Sequence, residues 1–397
     1  MTSAAFEWLN ILLRWAHVMF GILWIGTSFF FIWLEASLRK REGQAPGIAG
    51  ESWMVHGGGF YLAEKYAVAP ERMPPELHWF KYEAYFTLLT GLALLSLIYY
   101  AGADAFLIDR EKVPLDPAWA IMLSAGSLAA GWFIYDAMVK SSLGERTGPL
   151  AIALFVEIAA FTFFYHGVFS DRAAFLHVGA LIGTIMATSV FAVIIPNQRK
   201  VVADLLAGRK PDPALGKQAR QRSLHNNYLT LPVIFMMVSN HYPIVFSHPW
   251  SPLIALGIVL GGGLVRHFFN SFDAGRLDWT AKVSVPAALA VLVGLIALSG
   301  YRPRAAPEGR AVAFAEINPI VEKHCNQCHS AAPTHPDFPD PPKGVMFDTP
   351  EQIRAQARNI EQQAVLSDTM PLGNTTQMAE EERRLLGAWI ASGSPVP

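Results

Sequence analysis

Cysteine is almost absent, with two residues in a chain of 397. A disulfide framework is therefore excluded. Charge is scarce as well: Asp, Glu, Lys and Arg make up 16% of the chain, against 52% apolar residues. That balance suits a membrane protein better than a soluble one. The formal net charge of -1 implies no strongly charged partner, and no basic stripe interleaved with aromatics argues for nucleic acid. Nothing marks a P-loop, flavin or nicotinamide site. The glycine triplets at 57–59 and 261–263 lack the strand before and helix after that a nucleotide loop requires, so they read as a turn and as close helix packing.

What the chain has instead is long apolar runs. Eight stretches, 7–35, 80–101, 118–139, 149–169, 173–195, 227–246, 251–269 and 280–300, are long enough to cross a bilayer as helices. No basic n-region or small-residue cleavage site marks the start, so the first run is expected to be retained as a helix. Lys and Arg set the orientation. The loop after the fifth run carries Arg199, Lys200, Arg209, Lys210, Lys217, Arg220 and Arg222, whereas the loops of opposite parity hold only Arg110, Lys112 and Arg172. The positive-inside rule then puts both the N-terminus and the C-terminus outside.

Both cysteines fall in one stretch, KHCNQCHSAAP, residues 323–333. Cys325, Cys328 and His329 form C-x-x-C-H, in which two thiols add to the vinyl groups of one haem and the adjacent imidazole reaches its iron. A thioredoxin-type pair would instead need a βαβ context and has no use for His329. Covalent haem attachment takes place on the periplasmic face of bacteria, which agrees with the orientation read from charge. The sixth iron ligand is expected to be Met370 in LSDTMPLGN, because Pro371 and Gly373 stiffen the loop. Met346 in KGVMFD is the competitor, Met378 reads as a packing residue, and His324 and His335 read as surface residues.

The expected fold is all-α: an eight-helix transmembrane bundle followed by a small helical cytochrome c domain. Boundaries follow at 1–302 for the membrane domain, 303–310 for a Pro- and Arg-rich linker and 311–397 for the cytochrome c domain, whose stretch 379–393 reads as an amphipathic helix with acids first and a glycine stop. A weak internal repeat lays the first four helices on the second four. It aligns His17 with His177 and His78 with His225, suggesting a 4+4 duplication.

Ionisable residues inside the runs are costly unless paired or functional. Arg14 and His17 share a helix face and would offer a haem b a propionate partner and an axial imidazole, with His177 as the second ligand. His166 and His241 are alternative ligands, and simple hydrogen bonds to neighbouring helices are the plain alternative. Nearer the inner ends, His78, Lys81, Glu83, His225, Asn226, Asn227, Arg266, His267, Asn270 and Asp136 would form a polar pocket. Asp136 and Glu157 read equally as members of structural pairs with Arg or His.

With RWAHVMFGILWIGTSFFFIWLEASLR at its start, a histidine-led fifth helix and CNQCH, TMPLGN and ERRLLGAWIASG near its end, the chain resembles the bacterial membrane-bound urate hydroxylase (urate oxidase) family with a C-terminal cytochrome c domain. The resemblance covers essentially the full length. It implies oxidation of urate with water to 5-hydroxyisourate, electrons leaving through haem c to a downstream cytochrome c or respiratory terminal oxidase, and no peroxide. It places the protein in the bacterial inner membrane, with the N-terminus and the cytochrome domain periplasmic. Urate is a planar anion rich in amide-like donors and acceptors. Arg266, Asn226, Asn227 and Trp79 are therefore candidate binding residues, and His78 or His225 the proton acceptor. Two other readings stand beside this one: a membrane-anchored cytochrome c subunit that oxidises quinol or a partner dehydrogenase, and a transporter with a fused redox sensor.

Overall fold

A computed structural model describes residues 3–300, 312–336 and 338–397. The first helix, α1 (Ser3–Ser37), has 35 residues. An antiparallel hairpin follows, β1 (Ile48–His56) and β2 (Gly59–Tyr66), so the chain is mostly but not wholly helical. Gly57 and Gly58, with φ of +59° and +80°, make the two-residue turn between the strands, a geometry that favours glycine. Cross-strand pairs such as Trp53 with Leu62 and Val55 with Phe60 knit the ribbon. The Ser37–Ser52 hydroxyl bond of 2.9 Å ties it to the end of α1.

Next come α2 (Tyr82–Leu94), prolonged by a π-helical turn over Leu95–Tyr100, and the short α3 (Ala103–Phe106). In α4 (Pro117–Lys140) the start is fixed by Pro117 and by the Asp116 carboxylate, which accepts from the Ala118 N–H at 2.9 Å. After α5 (Thr147–Val168), α6 (Asp171–Ser189) passes through a π-helical turn into α7 (Ile195–Leu206). Asp171–Leu206 is thus one 36-residue rod, and Arg199 and Lys200 sit on helix rather than in a loop. The remaining bundle helices are α8 (Pro213–Ser239), the short α9 (Pro243–Phe246), α10 (Ser251–Asp273) and α11 (Trp279–Gly300).

Among the described residues, 7 helices are long and apolar enough to cross a membrane. The expected sixth span, 227–246, corresponds to α8, which is not one of them. Its buried face carries Arg222, Asn226, Asn227, Thr230 and Ser239, so it is a helix packed among helices, and its composition lacks the apolar surplus that lipid contact demands. It nonetheless lies antiparallel to α6. Asn226 donates to the Met186 carbonyl at 3.0 Å, and Arg172 donates to the Asn240 carbonyl at 2.9 Å. These two ties are about 21 Å apart along α8. Against α10 the approach is close: a Cβ on Gly262 would stand 2.7 Å from Pro232 Cδ, so the second glycine triplet serves helix packing. The core is centred on α6, whose Leu181, Ile182 and Ile185 are fully enclosed.

The C-terminal unit has its own apolar cluster, including Ile317, Val321, Leu386 and Trp389. It comprises α12 (Phe314–His324), α13 (Pro350–Ala355), α14 (Ala357–Ile360) and α15 (Glu380–Ala391). As the sequence predicts, α15 opens on three acids and stops before Gly393, which has φ +93°. The predicted linker, 303–310, lies outside the described residues. The unit rests on one end of the bundle, where Asn374 donates to Glu111 at 2.5 Å and Ser247 meets Thr369 at 3.4 Å. That end is called the domain end below. The hairpin and α7 lie at the far end.

Candidate functional site

Polar side chains converge near the far end from α4, α8 and α10. On α8, Arg222 is 2% exposed and donates to Asp136 of α4 at 2.6 Å. Lys140 holds the other carboxylate oxygen of Asp136 at 2.6 Å. The Arg222 guanidinium lies 4.6 Å over the Tyr135 ring, whose hydroxyl meets His225 Nδ1 at 2.8 Å. This charge is neutralised in place. Arg222, counted with the loop residues on sequence, is thus a buried partner within a helix, and of the two roles read for Asp136, pocket member or structural pair, it takes the pair.

Arg266 on α10 differs. Its Nη2 donates to Asn270 Oδ1 at 2.8 Å and to Asn227 Oδ1 at 3.1 Å, and its guanidinium lies 4.2 Å over the Phe29 ring of α1. Among the described residues no carboxylate forms an ion pair with it, although it is only 7% exposed. Asn227, fully enclosed, spends its oxygen on Arg266 and on Asn270 Nδ2 at 2.9 Å, while its own Nδ2 has no partner. The Oδ1 of Asn226 is likewise buried and unpartnered, and the buried Ser189 hydroxyl faces Tyr135. Buried polar groups are almost always hydrogen-bonded. Asp273, farther along α10, is the carboxylate that acts on Arg266 electrostatically, without a direct ion pair. A buried cation with no carboxylate in contact, beside the unpartnered Asn227 amide nitrogen, is suited to a polar anionic ligand.

The structure thus brings Asn227, Arg266 and Asn270 together, with Asn226 and His225 beside them on α8. It leaves His78 exposed before α2, its ring 4.5 Å from that of Phe80. Trp79 packs, half-buried, on the apolar cluster of Ala84, Val190 and Ile195. Sequence reasoning missed Phe29, one aromatic in a long apolar run, and Tyr135, whose only signal was its place beside Asp136. Glu157, read as a member of a structural pair with Arg or His, has no such partner, and neither carboxylate oxygen closes a hydrogen bond within 3.5 Å.

The membrane histidines divide. His17 Nδ1 lies 3.1 Å from the Thr87 carbonyl and 3.0 Å from Thr90 Oγ1, an arrangement that leaves Nε2 for a metal. Arg14 is exposed and bonded back to Asn10 at 2.8 Å. His177 is enclosed by Tyr99, Tyr165 and Phe169. Both its nitrogens are engaged, Nε2 with Ser124 at 2.6 Å and Nδ1 with the Ala173 carbonyl at 2.7 Å. The two rings are bonded to different helices and are not brought together. Arranged this way, His17 suits an axial position and His177 does not. His166 bonds Ser251 at 3.2 Å, and His241 is exposed.

In the C-terminal unit, Cys325 stands at the C-terminal end of α12. A reactive C-x-x-C pair sits at a helix N-terminus, where the thiolate is favoured. Here burial pushes the Cys325 thiol up to about 12, and residues 312–397 contain no strand among those described. Neither feature suits a thioredoxin-type pair. His329 Nδ1 lies 3.0 Å from the Val345 carbonyl, and burial holds its imidazole below the ordinary value. A neutral ring fixed through Nδ1 presents Nε2, which is what an iron ligand requires. Cys325 and Met370 border the same apolar cluster. Buried Arg383 fixes the methionine loop by donating to the Met370 carbonyl at 2.8 Å and the Ala364 carbonyl at 2.6 Å. These residues fit a haem c. Met378 is a buried packing residue, as expected. His324, expected at the surface, is 5% exposed because Thr376 at 2.6 Å and Glu382 at 3.1 Å hold its two nitrogens.

Comparison with known proteins shows that the family described as urate oxidase N-terminal fits residues 3–297. No curated protein and no solved structure matches the chain. The chain belongs to the urate oxidase N-terminal family, which relates it to urate oxidation.

Proposed function

We propose that this member of the family is a membrane-bound urate hydroxylase that takes urate and water to 5-hydroxyisourate at the far-end cluster and passes the electrons to a C-terminal cytochrome c domain. The observation that carries this reading is Arg266, a buried guanidinium that meets amides and a ring but no carboxylate. An anion with urate's planar amide edges supplies what the site lacks. Its negative charge answers Arg266, its N–H groups answer Asn226 Oδ1, and its carbonyl oxygens answer Asn227 Nδ2. Phe29 and the α8–α10 contact keep bulk water from the guanidinium, which strengthens each of these bonds. His225, oriented by the Tyr135 hydroxyl at 2.8 Å, is the nearby base that can receive a proton from the attacking water.

Cys325, Cys328, His329 and Met370 would hold the haem c, which supplies one-electron acceptance when bound. The Met370–Asn374 loop touches the bundle through Asn374 and Glu111. The far-end cluster and that junction are about 20 Å apart across the bundle, so the reading calls for a redox group between them. His17, with Nδ1 already bonded, is the residue suited to hold a haem b. The reading keeps the cytochrome unit and the N-terminus on the periplasmic side of a bacterial inner membrane, with a soluble cytochrome c or a terminal oxidase as the next acceptor.

The test is the origin of the new oxygen. Membranes bearing the protein are given urate in water enriched in heavy oxygen, and product label and peroxide are measured. Label from water without peroxide supports the reading. Stoichiometric peroxide would contradict it.

A further inference from the structure

Glu157 is the eleventh of the 22 residues of α5. It is 7% exposed, and neither carboxylate oxygen closes a hydrogen bond within 3.5 Å or an ion pair, the backbone of Tyr135 being the polar group it faces. An ionisable group at this depth is costly unless it is paired or used. No mechanistic role given above uses it. Its surroundings are ordered in layers. On α4, Ser124, Ser127, Gly131 and Tyr135 are all buried and recur on one face. Phe161 of α5 packs at Gly131, 3.5 Å from the position of a Cβ there. The two helices run antiparallel, so Glu157 lies level with Tyr135, and Tyr165 lies level with Ser127.

Two hydrogen-bonded strings meet these layers. At the far end, the Tyr135 hydroxyl bonds His225 at 2.8 Å within the proposed urate site. Toward the domain end, Ser124 bonds the Tyr100 hydroxyl at 2.8 Å and His177 Nε2 at 2.6 Å. Between the strings stand Glu157 and the Tyr165 hydroxyl, both buried and neither closing a hydrogen bond within 3.5 Å; Glu157 faces Tyr135, the Tyr165 hydroxyl faces Ser127, and the Tyr165 ring is 5.2 Å from that of His177. The whole line covers about 16 Å of α4.

We propose that Glu157 carries protons from the far-end cluster along the buried face of α4 toward the domain end, so that the proton released by urate oxidation leaves on the side to which the electrons go. This rests on urate being oxidised at the far-end cluster. The balance is simple: the urate monoanion and one water give neutral 5-hydroxyisourate, two electrons and one proton. The electrons pass to a one-electron acceptor. The proton passes through His225 and Tyr135 to Glu157, then by Tyr165 and Ser127 to the Ser124–His177 string. Its transit offsets one of the two electron charges crossing a low-dielectric interior, where uncompensated charge is costly.

The experiment uses the full-length haem-loaded protein in vesicles enclosing urate and a pH indicator, with ferricyanide and a second indicator outside. Ferricyanide takes an electron without a proton, and only molecules with the C-terminal unit outward turn over. The unsubstituted protein is expected to acidify the outer medium, by one proton per two electrons. Glu157→Gln is expected to keep reducing ferricyanide while acidifying the lumen instead, and Glu157→Asp to restore part of the outward release. Tyr165→Phe gives the same readout should Glu157→Gln fail to assemble. Release on the same side in all variants overturns the proposal alone. No reduction of ferricyanide by urate in the unsubstituted protein overturns the substrate reading and this proposal with it.

Discussion

Arg266 on α10 and Asn227 on α8 share a hydrogen bond of 3.1 Å that leaves the Asn227 amide nitrogen pointing at no acceptor. The pair joins a guanidinium with no carboxylate in contact to a donor lacking a carbonyl. Lysine cannot copy this arrangement, because it has no planar fork and does not stack on Phe29 in the same way. Hydrogen bonds to charged groups are worth roughly 1.5–3 kcal/mol, and about 1.4 kcal/mol is a factor of ten in rate. Arg266→Lys is therefore expected to lower urate kcat/KM by about 10- to 100-fold, and Asn227→Leu by a similar factor. Steady-state assays of both variants check this. Unchanged kcat/KM in Arg266→Lys would remove the site from the account.

Arg222 and Asp136 form the neighbouring pair, and its role is structural. Removing one member of a buried pair commonly costs about 3–5 kcal/mol, but Lys140 still holds Asp136 at 2.6 Å. Arg222→Met is thus expected to lower thermal stability by less than that range, while Arg222→Met with Asp136→Leu recovers part of the loss. Melting followed by tryptophan fluorescence in detergent distinguishes the two cases.

How much of this was legible beforehand depends on the kind of signal. Seven of the eight bundle helices announce themselves through long apolar runs, as does α15 through its acids and its stop at Gly393. The α8 helix did so only in part. Its boundaries were misplaced because its buried face is polar, and apolar windows cannot see a helix whose partners are other side chains. The hairpin at 48–66 was hidden in what read as an inner loop, although the glycine turn inside it was recognised. Asn227, Arg266 and Asn270 could be named from their depth in the chain. Phe29 could not, since a phenylalanine among apolar residues carries no mark of the cation it will meet. The His17–His177 alignment placed both rings within the bundle, yet their bonding depends on the interhelical neighbours Thr87 and Ser124, which no spacing rule supplies.

The choice of Met370 over Met346 is open to a direct test. Thioether ligation raises a haem potential, and loss of the ligand or its replacement by histidine lowers it. Met370→His is expected to lower the midpoint potential of the c-type haem and Met346→Leu to leave it in place, as read by optical redox titration. Cys325→Ser with Cys328→Ser is expected to abolish covalent haem in a pyridine haemochrome assay.

A pH dependence follows from Glu382. Burial raises its carboxyl, but the Ala379 N–H at 2.7 Å and the His324 contact at 3.1 Å outweigh that and hold it below its reference value of 4.5. A carboxyl depressed by folding stabilises the folded state above its unfolded value, and that contribution is lost as pH falls through the folded value. The C-terminal unit is therefore expected to lose melting temperature as pH drops below about 4.5, and Glu382→Gln to flatten the dependence. Thermal melts of the haem band across that range give the comparison.

The central claim is that urate is an electron donor to this chain. An anaerobic optical spectrum of the oxidised, purified protein, taken before and after adding urate, tests it with no other component present. The account predicts growth of a c-type α-band on addition of urate, with a b-type band beside it where His17 holds a haem. No reduction by urate, with full reduction by a quinol, would contradict the account and leave an electron-transfer subunit in its place.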